Sequence, residues 1–446
     1  MMKMTDILIV GGSAAGVTAA MTARKFHPNA EITLVRKEEK VLIPCGIPYI
    51  FGTIGTPEKN LIPDAGLEKN KVNKVIDEVV SIDKGAKTIA TSGGETIGYE
   101  RMILTTGSLP FIPRLPGIEL DRVFPIQKDV DYLQGLLDTL KKVKDVVIIG
   151  GGFIGVEFAD ECRKMGTNVT VVELLPHCLF LACDESACEQ AETRLAQRGI
   201  RTLANHRAEA LLGNGKVEHV QLQGGEKLKA NAVILGIGVT PNIALAEKAG
   251  LQVHERNGIY VDEFMRTSDS HIFAAGDCTQ KRCYFTGRPS PLRLASIAAI
   301  EARIAAANLF GLRRRNAGAI GIFATQIADL ALGSAGMTEK MARKADFEFV
   351  TGEASAPDKH PGCMPEMSDL TVKLVFDKNT GVLLGGQVHG GATTGEVTNF
   401  IGAIIQQKAR AEEIATFQIG THPALTASPI AYQIVNAAEN ALEKMR

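Results

Sequence analysis

The chain has 446 residues, a length that argues for two or three domains rather than one. Its 49 Lys+Arg against 50 Asp+Glu leave a formal charge of −1, which gives it no electrostatic reason to bind nucleic acid or an anionic membrane. No stretch approaches the roughly 18 uncharged apolar residues of a membrane span. Eight scattered Cys are no disulfide framework and read as thiols of a reducing compartment. Met1 to Asp6 lacks the charged and apolar regions of a secretory signal and runs straight into a strand, which points to the cytoplasm.

Asp6-Ile-Leu-Ile-Val-Gly-Gly-Ser-Ala-Ala-Gly16 predicts a buried strand breaking into a glycine turn. An Ala-rich helix follows through Lys25, then a second strand over Glu31 to Val35. The pattern returns at Asp145, Val146 to Ile149 and Gly150-Gly-Gly-Phe-Ile-Gly155, with a helix to about Met165 and a strand over Asn168 to Val172. Each is a βαβ unit, and strands alternating with helices make the class α/β with parallel sheets. After about residue 316 short strands such as Leu370 to Phe376 and Leu383 to Val388 precede two closing helices near 395–409 and 428–445. This segment reads as a third, α+β domain.

The glycines of such a turn have separate tasks: a tight turn, close backbone approach to a pyrophosphate, and close helix–strand packing. The second unit has all three, Gly150, Gly152 and Gly155, and ends its second strand on Glu173. Glu173 suits an unphosphorylated adenosine ribose, and no Arg or Lys follows closely to pair a 2′-phosphate. NADH is therefore favoured, with NADPH left open. In the first unit Gly11 and Gly16 fit, but Ser13 holds the middle position and Arg36 replaces the strand-end acid.

Three further motifs carry a family resemblance. Thr267-Ser-Asp-Ser-His-Ile-Phe-Ala-Ala-Gly276-Asp277 resembles the second FAD motif of the pyridine nucleotide-disulfide oxidoreductase superfamily. Thr105-Thr106-Gly107-Ser108 with Pro110, and Gly236-Ile-Gly238-Val-Thr-Pro241-Asn242, resemble the strings where the chain leaves the FAD domain and returns to it. The resemblance spans nearly the whole chain. It implies two Rossmann-like nucleotide-binding domains, for FAD and NAD, plus a C-terminal α+β dimerisation domain. The expected boundaries are 1–112 and 247–315 for FAD, 113–246 for NAD(P) and 316–446 for a homodimer interface that completes each active site from the partner.

Gly11, Gly12, Ser13, Ala14, Ala15, Gly16, Arg36, Thr106, Gly107, Gly276, Asp277 and Ala295 are the residues expected at FAD. Gly150, Gly152, Phe153, Ile154, Gly155, Glu157, Glu173 and Gly238 are those expected around the nicotinamide nucleotide. By resemblance Asp277 binds a ribityl hydroxyl, Phe153 stands where many relatives place a flavin-shielding Tyr, and Glu157 matches an acidic position near the flavin.

Cys45 lies in Val41-Leu-Ile-Pro-Cys-Gly-Ile-Pro-Tyr-Ile50, where the prolines and Gly46 indicate a turn opening into a helix. A helix N-terminus stabilises thiolate. Positions 48 and 50 are Pro and Ile, so Cys45 has no dithiol partner and must cycle through a mixed disulfide, persulfide or sulfenic acid. This resembles the single-cysteine branch of the superfamily: coenzyme A disulfide reductases, NAD(P)H sulfur and persulfide reductases, NADH oxidases and NADH peroxidases. Ala14 occupies the position of the His carried by peroxidases and many oxidases. Val41 and Pro44 stand where well-known coenzyme A disulfide reductases have Ser and Asn, whereas Arg24 and Lys25 match the basic pair that faces coenzyme A phosphates. His360 and His422 are the candidate acid/base imidazoles, suited to protonating a leaving thiolate near neutral pH, although no acid lies in Ala424 to Ser428 to orient the second. Cys363 is the second thiol with a route to the chemistry. His177, Cys178, Cys183 and Cys188 match no common zinc spacing, and a helix with incidental thiols is favoured over a metal site.

The expected function is an FAD-dependent NAD(P)H reductase of a small disulfide, persulfide or polysulfide, with a coenzyme A-type thiol as carrier. The alternatives are an NADH oxidase working through a Cys45 sulfenic acid, a flavin electron transferase serving a small iron–sulfur protein, and a redox-state binding protein.

Overall fold

A computed structural model describes residues 3–446, so that Met1 and Met2, part of the segment read for a leader, lie outside the described residues. The fold is mixed α/β, with two parallel-sheet nucleotide-binding cores and a C-terminal antiparallel sheet. The chain divides into two compact units. One comprises the described residues up to Arg114, Phe124–Lys142 and Gly238–Ala319; the other comprises Leu115–Val123, Val143–Ile237 and Ile320–Arg446.

In the first unit, strand Lys3–Val10 lies between Ile32–Arg36 and Thr96–Leu104, parallel to both. Lys3–Val10 reads KMTDILIV, and its C-terminal half is buried on both faces, as a central parallel strand must be. Strand Thr96–Leu104 changes partner along its length: Thr88–Thr91 pairs antiparallel with its start, and Ile272–Ala274 pairs parallel with its end. That second pairing carries Gly276 and Asp277 into the same sheet edge as Gly11. Helix Ala14–Phe26 buries Ala15, Ala19, Ala20 and Ala23, and the Ala-rich helix Ala295–Asn308 packs against it. The small side chains permit that close approach, and Ile7, Leu8 and Ile9 fill the core beneath.

In the second unit, strands Arg201–Leu203, Asn168–Val172, Asp145–Ile149 and Ala232–Leu235 form a parallel sheet in that order. A five-stranded antiparallel sheet follows, in the order Ile322–Ile327, Leu330–Gly336, Leu383–Gly390, Asp369–Asp377, Phe349–Pro357. Helices Thr394–Gln406 and Gln433–Met445 pack on it. The last helix starts later than its sequence pattern suggested, because Pro429–Ala431 forms a separate 3-10 turn and Tyr432 is extended. Among the described residues no helix is long and apolar enough to cross a membrane.

Candidate functional site

The first cradle lies at the C-terminal edge of the first unit's sheet. Gly11 has φ +108°, and a Cβ there would collide with the Thr105 carbonyl, so only glycine fits. Gly12 lies under the aliphatic stem of Arg36, and Gly16 packs against the Gly11 carbonyl. Ser13 is the N-cap of the helix that opens with Ala14 and Ala15, and its side chain makes no capping bond. The equivalent Gly152 has the same extended backbone, and a Cβ on it would meet no protein atom within 4 Å. The middle glycine is thus not required by the fold, which is why Ser13 is accommodated.

Thr105 Oγ1 donates to the Val10 carbonyl at 2.9 Å. Thr106 Oγ1 donates to the Asn242 carbonyl at 2.7 Å, and the Asn242 amide donates to Gly107 O at 2.9 Å. These bonds join the two crossover strings, with Gly238 O accepting the Phe111 amide at 3.0 Å. Ser108 Oγ donates to Asp277 Oδ2 at 2.8 Å, with Lys128 Nζ 3.8 Å away. Ala295 opens its helix behind Leu294, which has no side-chain group to cap it. Arg293 Nε, just before, is buried without a hydrogen-bond partner. The terminal nitrogens of Arg293 donate to backbone carbonyls, so two uncapped helix N-termini and the single unpartnered Nε–H are what fit an anionic dinucleotide.

Arg36 is not an open ligand. Its buried guanidinium pairs with Asp64 at 2.7 and 2.9 Å and donates to the Glu38 and Glu39 carbonyls at 2.9 and 2.8 Å. Arg36, and Lys74 after it, hold the Asp64 carboxyl below its ordinary range. What Arg36 offers the cradle is its stem over Gly12.

The second cradle repeats this plan in the second unit. Gly150 has φ +105°, and a Cβ on it would stand 2.6 Å from the Gly236 carbonyl. Gly155 packs closely on Gly150 O. Glu173, 9% exposed, accepts the Gly151 amide at 2.5 Å on Oε2 and the Leu175 amide at 2.7 Å on Oε1. Both oxygens keep a lone pair for a hydroxyl. Helix Phe153–Lys164 starts at this turn, with Ile154 exposed. Phe153 stacks on Phe323 of the C-terminal sheet, with ring centroids 4.9 Å apart. Thr325 Oγ1 donates to Glu157 Oε1 at 2.8 Å, and burial pushes the Glu157 carboxyl up to about 7. Phe323 and Thr325 escaped the sequence reading, since nothing local links them to a turn some 170 residues earlier.

Cys45 is exposed in a 3-10 turn, Pro44–Gly46, which Ile50–Ile54 follows as a single π-helical turn. No regular helix opens at Cys45, because Pro48 interrupts it. Cys45 therefore lacks the helix N-terminus expected to stabilise its thiolate. Asn60 pins the turn instead: its Nδ2 donates to Ile43 O at 2.9 Å, and its carbonyl accepts the Ile43 amide at 2.9 Å. Cys162, Cys178, Cys183, Cys188 and Cys278 are buried, and burial raises each thiol, the first four to about 12. Cys283 is half-buried, and Cys363 is exposed.

His360 and His422 are brought together although 62 positions apart. His360 Nδ1 donates to Thr426 O at 2.9 Å, and its amide donates to Pro423 O at 3.0 Å. His422 is exposed, and its Nδ1 accepts the Ala424 amide at 3.2 Å. Arg24 departs from expectation. Its guanidinium donates to the carbonyls of Asn70, Pro28, Ala30 and Lys71 at 2.8 to 3.0 Å, which leaves it no fork for a phosphate. Lys25 is exposed.

Among the described residues no group of three or more His, Cys, Asp or Glu is placed to hold a metal ion. His177 instead pairs with Glu192 at 3.0 Å and Glu185 at 3.5 Å, and Glu192 chiefly raises its imidazole. Only Cys188 of the neighbouring thiols lies on a helix, Glu185–Gln197.

Residues 5–300 match the family model described as pyridine nucleotide-disulphide oxidoreductase, and residues 322–430 match that family's dimerisation domain. The chain is similar to an NADH oxidase of Methanocaldococcus jannaschii, 30% identical over 98% of this chain and 99% of that protein. It is also similar to an NAD(P)H coenzyme A polysulfide/persulfide reductase of Pyrococcus horikoshii, 31% identical over 86% of this chain and 87% of that protein. Among solved structures, an NAD-dependent persulfide reductase from A. fulgidus superposes with a TM-score of 0.91 at 26% identity, covering 98% of this chain and 83% of that one.

Proposed function

The chain belongs to the pyridine nucleotide-disulphide oxidoreductase family and is an NAD(P)H-dependent flavin oxidoreductase, and on that premise we propose that it reduces a small disulfide, persulfide or polysulfide through Cys45. The observation that carries this reading is an exposed thiol on a turn pinned by Asn60, while five other cysteines are buried with raised pKa. The names of the P. horikoshii and A. fulgidus relatives support it.

FAD would be held by residues 1–112 and 247–315 through Gly11 to Gly16, Thr106, Gly107, Gly276, Asp277 and Ala295. NADH would be held by residues 113–246 through Gly150 to Gly155 and Glu173. When bound, FAD carries two electrons from the reduced nicotinamide to the acceptor. The Cys45 thiolate attacks the substrate S–S bond, expels one sulfur as thiolate and keeps the other as a mixed disulfide or persulfide. The two electrons cleave that second S–S bond, restoring the Cys45 thiolate and releasing the remaining sulfur. An imidazole, His422 before His360, protonates the departing thiolates. Residues 316–446 would pair two subunits and bring these imidazoles to the partner's Cys45. Lys25 remains the candidate contact for a coenzyme A phosphate.

The name of the M. jannaschii relative supports a second reading, oxygen as acceptor with Cys45 cycling through a sulfenic acid. Turnover with coenzyme A disulfide, polysulfide and oxygen, in wild type and Cys45→Ser, separates the two. The first reading expects sulfur turnover to exceed oxygen turnover in wild type and to vanish in Cys45→Ser, with NADH-dependent bleaching of the flavin retained. Full sulfur turnover in the variant refutes Cys45. The adduct on Cys45 in non-reducing mass spectrometry then names the carrier.

A further inference from the structure

Lys281 and Glu301 form an ion pair at 2.9 Å with side chains only 1% and 2% exposed. Burying two opposite charges is costly and rarely retained for stability alone. Lys281 sits on the short strand Lys281–Arg282 and Glu301 on helix Ala295–Asn308, and the two meet on the backbone of Gly276. Glu301 Oε2 accepts the Gly276 amide at 2.9 Å and lies 3.1 Å from Thr279 Oγ1. Lys281 Nζ donates to Gly276 O at 2.5 Å, to Thr279 Oγ1 at 2.5 Å and to Thr279 O at 3.2 Å. The turn that presents Asp277 is therefore gripped through both its amide and its carbonyl.

The other side of Gly276 faces the phosphate cradle. A Cβ on it would stand 3.0 Å from the Cβ of Ala15, in the first turn of helix Ala14–Phe26. Glu301 thus takes an amide from this turn and puts a carboxylate one backbone layer below the place where a pyrophosphate would bind. Uncompensated, that charge would repel the ligand.

We propose that Lys281 and Glu301 are the positioning pair of the flavin cradle: Glu301 aims the Gly276–Asp277 turn, and Lys281 cancels the charge that aiming introduces. This rests on the FAD reading above. The other ionisable groups facing the pair are Asp277, Arg293 and Cys278. Asp277 is held by Ser108 and Lys128, Arg293 interacts with Asp277, Cys278 and Glu301, and the Cys278 thiol is raised by burial.

The test is titration of flavin-stripped full-length protein with FAD, from mildly acidic to mildly alkaline pH. Lys281→Met should weaken FAD about tenfold at alkaline pH and recover toward acid as Glu301 takes up a proton. The double variant Lys281→Met/Glu301→Gln should return to within about threefold of wild type and lose the pH dependence. Glu301→Gln alone, which keeps an acceptor at Gly276, should bind FAD as tightly as wild type or tighter. A loss equal at all pH values, or a double variant no better than Lys281→Met, overturns the proposal. Should Lys281→Met fail to fold, Glu301→Gln decides: tenfold weaker FAD in a folded protein makes the pair simple packing. Wild-type protein that takes up no FAD refutes the cofactor reading instead.

Discussion

Thr325 donates its hydroxyl to Glu157 across the 168 positions that separate them in the chain, and in doing so ties the helix of the nucleotide turn to the C-terminal sheet. The acceptor is a half-buried carboxyl whose pKa is raised from 4.5 to about 7, chiefly by desolvation. A raised folded pKa means that the folded chain binds this proton more tightly than the unfolded chain. The resulting stabilisation is complete below about pH 4.5 and lost as pH rises through about 7. Glu157→Gln should match wild type in acid and exceed it by on the order of 3 kcal/mol above neutrality. Urea unfolding at the two ends of that window measures the difference, and parallel pH profiles would contradict it.

Glu173 is locked by two backbone amides, a geometry that suits ribose hydroxyls and opposes a 2′-phosphate. NADH should therefore give the higher kcat/KM. Glu173→Ala should lower that value by about tenfold or more and shrink the preference over NADPH, with bound flavin unchanged. Stopped-flow reduction of the flavin with each nucleotide checks both. A wild-type preference for NADPH would show that a base reaches the ribose from elsewhere in the fold.

Arg24 spends its guanidinium on four carbonyls around the end of its helix, whereas Lys25 beside it is exposed. Arg24→Ala should cost on the order of 2 kcal/mol of stability and leave the KM for coenzyme A disulfide unchanged. Lys25→Ala should do the reverse, raising KM without affecting unfolding. A variant pair with these effects exchanged would restore Arg24 to the substrate.

His422 is more exposed than His360, whose Nδ1 donates to Thr426 O. His422→Ala should slow sulfur turnover by about a hundredfold near neutral pH and leave reduction of the flavin by NADH intact. His360→Ala should act less on turnover and more on stability, since it releases the loop around Thr426. Equal loss of both half-reactions in His422→Ala would place that residue in folding rather than proton transfer.

Cys363, exposed like Cys45, supplies the test of subunit crossing. Oxidation with one equivalent of disulfide should yield a Cys45–Cys363 bond between two chains on a non-reducing gel, absent in Cys363→Ala. A wild-type protein that gives no such band leaves Cys45 working without a second thiol.

Some of this was contiguous in the chain and therefore legible from sequence. A strand, a glycine turn and a helix N-terminus are made by neighbours within about ten residues, and Gly11, Gly150 and Glu173 declare them by type and spacing alone. The change after about residue 316 to short strands and turns of an α+β region belongs to the same class. Partner choice was not legible, because a salt bridge or a stacked ring needs two side chains whose approach is fixed only when sheets and helices pack. Sequence could name Arg36 and Arg24 as cations at interesting places; only the fold assigned the first to Asp64 and the second to four carbonyls. It likewise took the fold to bring Phe323 onto Phe153, Thr325 onto Glu157, and Lys281 with Glu301 beneath Gly276. Hydrophobic periodicity encodes which face of an element is buried, whereas long-range polar pairing is settled by which buried groups can find a partner once that face is covered.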